Sequence, residues 1–190
     1  MIRTLFATVL LLALLSAPVS AADFVLDKAH TEVEFVIGDS ASGKVLGKIP
    51  LVSGTATIGA DNLPTAVSAT FDVASLRTQS AVRDKDLRDN YFEVTQYPTI
   101  TFVERQAQGT SQAFIMTGDL TIHGVTRAVT LTAKVNRVAI VKGKKHIAFT
   151  GATTINLHRQ FDVTFSPLLD DTLIAGGGVM INIETDAVEQ

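Results

Sequence analysis

Residues 118–131 read GDLTIHGVTRAVTL, with two runs of alternating apolar and polar side chains on either side of a His-Gly pair. Alternation with a period of two is typical of β-strands that bury one face and expose the other. A turn formed by His123 and Gly124 would pair Ile122 with Val125 and bring the apolar residues of both runs onto one face. The stretch therefore predicts a β-hairpin with one face toward a core.

The register of this hairpin determines which residues face each other farther from the turn. The predicted pairs are Leu120 with Arg127, Gly118 with Val129, Met116 with Leu131 and Phe114 with Ala133. Arg127 would then point toward the core near one end of the sheet. Its charge would need a carboxylate, a carbonyl, a ligand oxygen or a path to water, because an unpaired buried charge is costly. The same register leaves His123 as a turn residue beside a permissive glycine.

Alternating patterns also occur along most of the chain beyond residue 22. The runs are residues 33–37, 67–73, 100–102, 114–122, 129–135, 147–157 and 173–183, and residues 44–58 form one or two strands broken around Pro50. Turn-forming residues rather than long helices separate these runs, which predicts about eight antiparallel strands in a barrel or a sandwich. Such a barrel either fills its interior with side chains or encloses a small ligand, and alternation alone does not distinguish the two.

One segment, SAVRDKDLRDNYF (residues 80–92), has a helical pattern. Arg83, Leu87 and Tyr91 recur every fourth residue, and Ser80 precedes them as a candidate N-cap. We therefore expect one short helix in an otherwise all-β fold. Internal repeats, low-complexity tracts and linkers are absent from the sequence, so residues 22–190 are predicted to form one domain.

The first 21 residues have the layout of a secretory signal peptide. Arg3 precedes an apolar run at residues 5–15, and the small residues VSA follow at positions 19–21. The apolar run, of roughly 11 residues, is too short for a membrane-spanning helix, which needs ~20. We expect cleavage after Ala21, or alternatively after Ala22, and a periplasmic protein without a transmembrane anchor. Secretion beyond the periplasm stays open.

Composition excludes several classes of function. The chain has no cysteine, which excludes disulfides, thiolate metal sites and cysteine nucleophiles, so an exported domain must depend on its core for stability. Arg3 is one of 16 basic residues, so its removal leaves 15 basic and 19 acidic side chains and a net charge of −4, without a long run of either sign. Nucleic acid and anionic membrane surfaces are therefore not expected as partners.

The histidines are the obvious candidates for a metal site or a catalytic base. His30, His123, His146 and His158 show no spacing typical of a ligand pair, and neither an HExxH motif nor an acidic calcium loop is present. The nucleophile motif GxSxG and the dinucleotide motif GxGxxG are also missing. The sequence therefore predicts no metal, no cofactor and no enzyme. Active sites assembled from distant residues lack such spacing. An exported enzyme using His123, His158, Arg159 and Asp162 thus stays an alternative.

Several motifs, in the same order along the chain, resemble those of the YceI-like proteins, also described as polyisoprenoid-binding. They are LDKAHTEVEFVI (residues 26–37), VLGKIPLVSGTATI (45–58), VRDKDLRDNYFEVTQYPTITF (82–102), GDLTIHGVTRAVTL (118–131) and INLHRQFDV (155–163). The resemblance runs through essentially the whole chain after residue 21. Phe24, Asp39, Ile49, Asp86 and Ala128 stand where many members have Trp, His, Phe, His and Pro.

The resemblance implies an extended, lipocalin-like antiparallel β-barrel of about eight strands, with a helix near one side. A hydrophobic tunnel in such a barrel holds a long-chain isoprenoid or another amphiphilic lipid. Members of the family are commonly exported to the periplasm and often form homodimers. No cofactor-dependent reaction is established for the family as a whole.

We therefore expect a periplasmic carrier of an amphiphilic lipid, a polyisoprenoid or a quinone-like molecule, held inside the barrel. Besides the enzyme, the remaining alternative is a filled barrel that acts as a stress or interaction protein. Arg127 or Arg159 is expected near the lipid head group. The apolar residues expected to contact the ligand are Phe35, Ile37, Phe71, Phe102, Phe114, Met116, Leu120, Val129, Leu131, Phe149 and Ile155.

Overall fold

The computed structural model describes residues 21–38, 44–163 and 178–190. The signal-peptide segment before residue 21, the departure at Asp39 and the start of the last alternating run at Leu173 lie outside these ranges. The strands are β1 (Ala22–Leu26), β2 (Glu32–Ile37), β3 (Val45–Lys48), β4 (Leu51–Ile58), β5 (Pro64–Asp72), β6 (Arg77–Thr78), β7 (Thr99–Thr110), β8 (Ala113–Ile122), β9 (Val125–Val141), β10 (Lys144–Ile155) and β11 (Val179–Glu189).

Eight of these strands close into an antiparallel barrel. Their order is β1-β4-β5-β7-β8-β9-β10-β11, and β11 returns to pair with β1. A 3-10 turn at Lys28–His30 separates β1 from β2, which pairs with the other half of β11, and β3 and β6 extend the sheet beyond β2. The predicted all-β barrel of about eight strands is confirmed. The break at Pro50 gives two strands, β3 and β4.

The hairpin of residues 118–131 has the predicted register. Ile122 pairs with Val125 and Leu120 with Arg127, and the ladder continues to Phe114 and Ala133. His123 and Gly124 have φ of 52° and 73°, so both turn residues adopt the left-handed conformation that a tight hairpin of this kind requires. His123 is therefore a turn residue, as the pattern predicted.

The predicted helix begins where the sequence placed it. Helix α1 (Ala81–Asp86) has Ser80 as N-cap, whose hydroxyl accepts a hydrogen bond from the Arg83 amide at 3.4 Å, and a π-helical turn (Leu87–Tyr91) continues it. The carboxylate of Asp84 faces inward and accepts from the amide and the hydroxyl of Thr78, at 2.7 and 2.6 Å. Since Thr78 belongs to β6, these bonds attach the helix to the extended edge of the sheet.

The prediction that the strand of residues 147–157 continues through Leu157 is wrong, because β10 ends at Ile155. Residues Leu157–Phe161 form a second short helix, α2. Asn156 explains the change: its side chain accepts a hydrogen bond from the Arg159 amide at 2.8 Å, so the chain leaves the ladder and starts a helix. Leu157 and Phe161 turn into the core, with Phe161 fully buried.

Two apolar clusters fill most of the interior. One joins the barrel strands to both helices and includes Leu76, Phe92 and Phe161. The other includes Phe24, Ile58 and Ile147. Full burial of each such side chain contributes about 1.5–3 kcal/mol relative to exposure. Val67 and Phe71 are partly buried and contact both clusters, so they lie between the two packed regions.

Candidate functional site

An apolar cavity lies inside the barrel. Its volume is about 160 Å³ when only positions open to the centre of a water molecule are counted. All atom-free space, including the part open to solvent, amounts to about 1170 Å³. Nearly all of its surface is apolar. Side chains from most barrel strands line it, among them Val33, Ile49, Val67, Phe71, Phe102, Met116, Leu120, Val129, Leu131, Ala133, Phe149, Ile181 and Ile183. The side chains of the described residues therefore do not fill this barrel completely, which answers the question that alternation left open.

A smaller apolar cavity of about 40 Å³ adjoins the first. The two share Ile49, Ile100, Ile122 and Ile181 in their walls, so they are parts of one apolar region. Leu87 and Phe92 close the smaller cavity from the helical segment, and Leu157 closes it from α2. The helices thus cover one end of the apolar interior.

The structure brings most of the predicted ligand residues to these two cavities. Those in the walls of the larger one are Phe71, Phe102, Met116, Leu120, Val129, Leu131 and Phe149. Those in the walls of the smaller one are Phe35, Ile37 and Ile155. Phe114 packs against Phe149 edge to face, with 6.4 Å between ring centroids. Contact of these residues with a ligand stays a prediction.

The two predicted arginines lie elsewhere. Arg127 has the predicted partner, Leu120, but its side chain is exposed and its Nη1 donates to the Thr126 carbonyl at 3.0 Å. Its position near the barrel end allows the long side chain to reach water. Arg159 is exposed on α2. Neither arginine lies in the wall of the larger cavity, and their place near a head group stays a prediction.

Glu104 is an interior polar residue that the sequence reasoning missed. It is paired with Gly118 in the β7–β8 ladder, two residues beyond Phe102, so its side chain lies on the interior face of β7. Both carboxyl oxygens are buried and have no hydrogen-bond partner among the described residues. Burial raises the pKa of Glu104 from its ordinary value near 4.5 to about 7. The signal was present in TITFVE (residues 99–104), where Glu104 continues the inward alternation of Ile100 and Phe102.

The histidines occupy four separate settings. His123 Nε2 lies 2.7 Å from Glu93 Oε2, and its ring packs against Tyr97 with centroids 4.4 Å apart. His158 is exposed on α2, and its Nδ1 lies 3.4 Å from the Val163 carbonyl oxygen. Within the three described ranges, no three His, Cys, Asp or Glu side chains come together in a way that could hold a metal ion.

The other two histidines each pair with a carboxylate. His30 Nδ1 lies 2.7 Å from Asp27, a hydrogen bond that raises the pKa of His30 and lowers the pKa of Asp27. His146 Nδ1 lies 2.8 Å from Asp186. His30 lies in the 3-10 turn before β2, because Asp27 caps that turn through the Ala29 amide.

The outer face of the barrel carries a different, polar groove. Counted in the same way as for the cavity, its volume is about 580 Å³. The residues that line it include Glu32, Glu34, Lys134, Asn182 and Glu184. These five side chains alternate with the inward ones along their strands. The groove is not separate from the apolar cavity, however, because Ala133, Thr150, Gly151 and Ile183 line both. It is more open to solvent than the interior cavity.

In the part of the chain that the structure describes, no helix is long and apolar enough to cross a membrane.

The barrel has close structural counterparts. BcnA from Burkholderia cenocepacia superposes with a TM-score of 0.71 at 21% identity, over 85% of this chain and 98% of that one. A domain from Saccharophagus degradans, described as polyisoprenoid-binding and implicated in plant cell wall breakdown, superposes with a TM-score of 0.66 at 16% identity, over 90% and 100% of the two chains. At these identities the likeness concerns the fold.

Sequence comparison shows the family. A UPF0312 protein from Ectopseudomonas mendocina is 33% identical over 168 residues, which cover 85% of this chain and 87% of that protein. Protein YceI from Shigella flexneri is 37% identical over 119 residues, 60% of this chain and 62% of that protein. The family model described as the YceI-like domain matches residues 24–187. With its motifs, its barrel and this match in agreement, the chain belongs to the YceI-like family.

Proposed function

We propose that this protein binds and carries an amphiphilic lipid, a polyisoprenoid or a quinone-like molecule, inside its barrel. The observation that carries the proposal is the apolar region in the barrel interior, where two adjoining cavities are walled by side chains from most strands. Ligand sites are typically concave, mostly apolar and equipped with few polar groups. The polyisoprenoid-binding description of the Saccharophagus degradans domain supports the same ligand class.

The energetics of such a complex are favourable for a long chain. Burial of ten methylenes at ~0.8 kcal/mol each gives roughly 8 kcal/mol, which corresponds to a Kd of about 1 μM before the costs of association are subtracted. A tail of twenty or more carbons leaves a margin for those costs. Such a tail can extend from the larger cavity into the smaller one or through the opening to solvent.

Export is the second part of the proposal. Residues 1–21 have the layout of a signal peptide, and their removal would leave a periplasmic protein that begins at Ala22, the first residue of β1. The first residue of the protein recovered from a periplasmic extract tests this part. Ala22 or Asp23 is expected, and a protein that keeps Met1 would contradict it.

A cavity-filling substitution tests the carrier role. Ala133 on β9 lines the larger cavity, whereas Ala128 is exposed on the outer face of the same strand. Ala133→Leu places three carbons in the space that the lipid tail would occupy, so its affinity for geranylgeraniol should fall about tenfold or more. Isothermal titration of the purified variants measures this. Ala128→Leu adds the same carbons outside and should bind as the wild type does. Equal affinity of the two variants would contradict a ligand in this cavity.

A further inference from the structure

Among the described residues, Glu104 is a polar group on the interior face of the barrel whose carboxyl oxygens are both buried and without a partner. The β7–β8 ladder pairs Phe102 with Leu120 and Glu104 with Gly118, without irregularity between these two pairs. Phe102 and Leu120 both line the larger cavity. Glu104 therefore projects from the same face as Phe102, toward the barrel interior.

The neighbours of Glu104 are apolar and belong to the cavity wall. On β8 the facing residue is Gly118, which carries no side chain, and the next interior residue is Met116. On β5, Ser68 pairs with Val103, so Val67 is the interior residue nearest to Glu104 on that side. Met116 and Val67 both line the cavity. Neither side chain can donate a hydrogen bond to the carboxyl group.

A buried carboxyl without a hydrogen bond is costly to keep. Each oxygen of Glu104 is almost fully removed from solvent and finds no partner in residues 21–38, 44–163 or 178–190. A buried polar group normally has a partner in the protein, in ordered water or in a ligand. Glu104 does not itself line the cavity, but Met116 and Val67 on the two neighbouring strands do. A ligand in the cavity therefore lies on the same side of the sheet as the carboxyl group and can bring the missing partner with it.

We propose that Glu104 hydrogen-bonds the polar end of the bound lipid, and that this end is an uncharged hydrogen-bond donor such as a hydroxyl group. The inference rests on the proposed carrier function and specifies its ligand. A hydroxyl donates to the carboxylate, and it also pairs with the protonated acid, so it satisfies either form. A phosphate or carboxylate would bring like charge against Glu104 in a region of low dielectric, which is unfavourable.

Two ligands that differ only at the polar end test the inference. Geranylgeraniol and geranylgeranyl phosphate have the same tail, and their affinities for the wild-type protein can be compared by isothermal titration at pH 8. We expect the alcohol to bind at least about tenfold more tightly, because charge repulsion opposes only the phosphate. Glu104→Leu should weaken binding of the alcohol about 3–10-fold through loss of one hydrogen bond and reduce the preference for it.

A second Glu104 variant separates the hydrogen bond from the charge, and a Glu34 variant serves as the control. Glu104→Gln keeps a hydrogen-bonding group of the same size without charge, so it should retain affinity for the alcohol and bind the phosphate more tightly than the wild type. Glu34→Gln removes a carboxylate from the outer face and should change neither affinity. Unfolding curves of all variants verify that they are folded.

The outcomes separate the two proposals. If both ligands bind the wild type equally well and the Glu104 variants do not alter either affinity, the assignment of Glu104 is wrong while the carrier function stands. Preference for the phosphate would also overturn the assignment. If neither ligand binds any variant, the carrier function itself fails, and the inference fails with it.

Discussion

The Glu104 carboxyl group makes the stability of the barrel dependent on pH. Its pKa is about 7 in the folded protein, above the ordinary value near 4.5 that we expect for the unfolded chain. A raised pKa means that the folded state binds the proton more tightly. The resulting contribution to stability is therefore complete below pH 4.5 and is lost as the pH rises through 7.

Glu104→Gln removes this dependence, because glutamine does not ionise. The difference in unfolding free energy between the variant and the wild type should shift in favour of the variant by about 1–2 kcal/mol from pH 4.5 to pH 8. This figure allows for the partial exposure of the residue. Urea unfolding at both pH values measures the gain. Glu34→Gln on the outer face should show a much smaller change. A difference between Glu104→Gln and the wild type that is equal at both pH values would contradict a raised pKa.

Individual residues were predictable where the local pattern decides their role. His123 was correctly predicted as a turn residue, because the apolar residues of the two strands share one face only if the loop between them has an even number of residues. Arg127 illustrates the limit: its register was right, yet its side chain reaches solvent, since register fixes the direction of Cβ and not the path of a long flexible chain. Glu104 was missed because a charged residue at an inward position looks like the end of an apolar run.

Helix α1 depends on one carboxylate for its attachment to the sheet. Asp84 is nearly buried and accepts two hydrogen bonds from Thr78 of β6. Asp84→Ala should lower the free energy of unfolding by about 1–3 kcal/mol, because the Thr78 amide loses its acceptor. Asp84→Asn keeps one acceptor oxygen and should cost less. Thermal or urea unfolding measures both variants.

Asp89 provides the matched control for Asp84. It lies in the π-helical turn that follows α1, and its exposed carboxylate pairs with Lys85 at 2.5 Å. Exposed pairs of this kind contribute little, so Asp89→Ala should change stability by about 0.5 kcal/mol or less. If Asp84→Ala costs no more than Asp89→Ala, the attachment of the helix through Thr78 is not a source of stability.

Elements were predictable to the extent that apolar periodicity marks them. The β8–β9 hairpin, the break at Pro50 and the start of α1 follow from alternation, proline and a capping serine. Helix α2 did not follow, because Leu157 continues the alternation of β10 while the Asn156 cap acts on the next turn of chain. The alternating pattern extended two residues beyond the end of β10, because the Asn156 cap starts a helix there.

The barrel as a whole combines closure with an interior that the described side chains fill only in part. Closure follows from β11, which pairs with β10 on one side and with β1 and β2 on the other. The cavity was not predictable from alternation, since an inward apolar residue can pack against another side chain or against a ligand. It depends on how large and small residues are combined in the wall, where Gly151 and Ala133 lie beside Phe149 and Ile183.

Whether this cavity holds a lipid can be measured by native mass spectrometry of the exported protein, purified without detergent. We expect a species heavier than the polypeptide by the mass of one isoprenoid-like lipid, which extraction with organic solvent removes. A protein with the bare polypeptide mass that also takes up no geranylgeraniol when the lipid is added would contradict it.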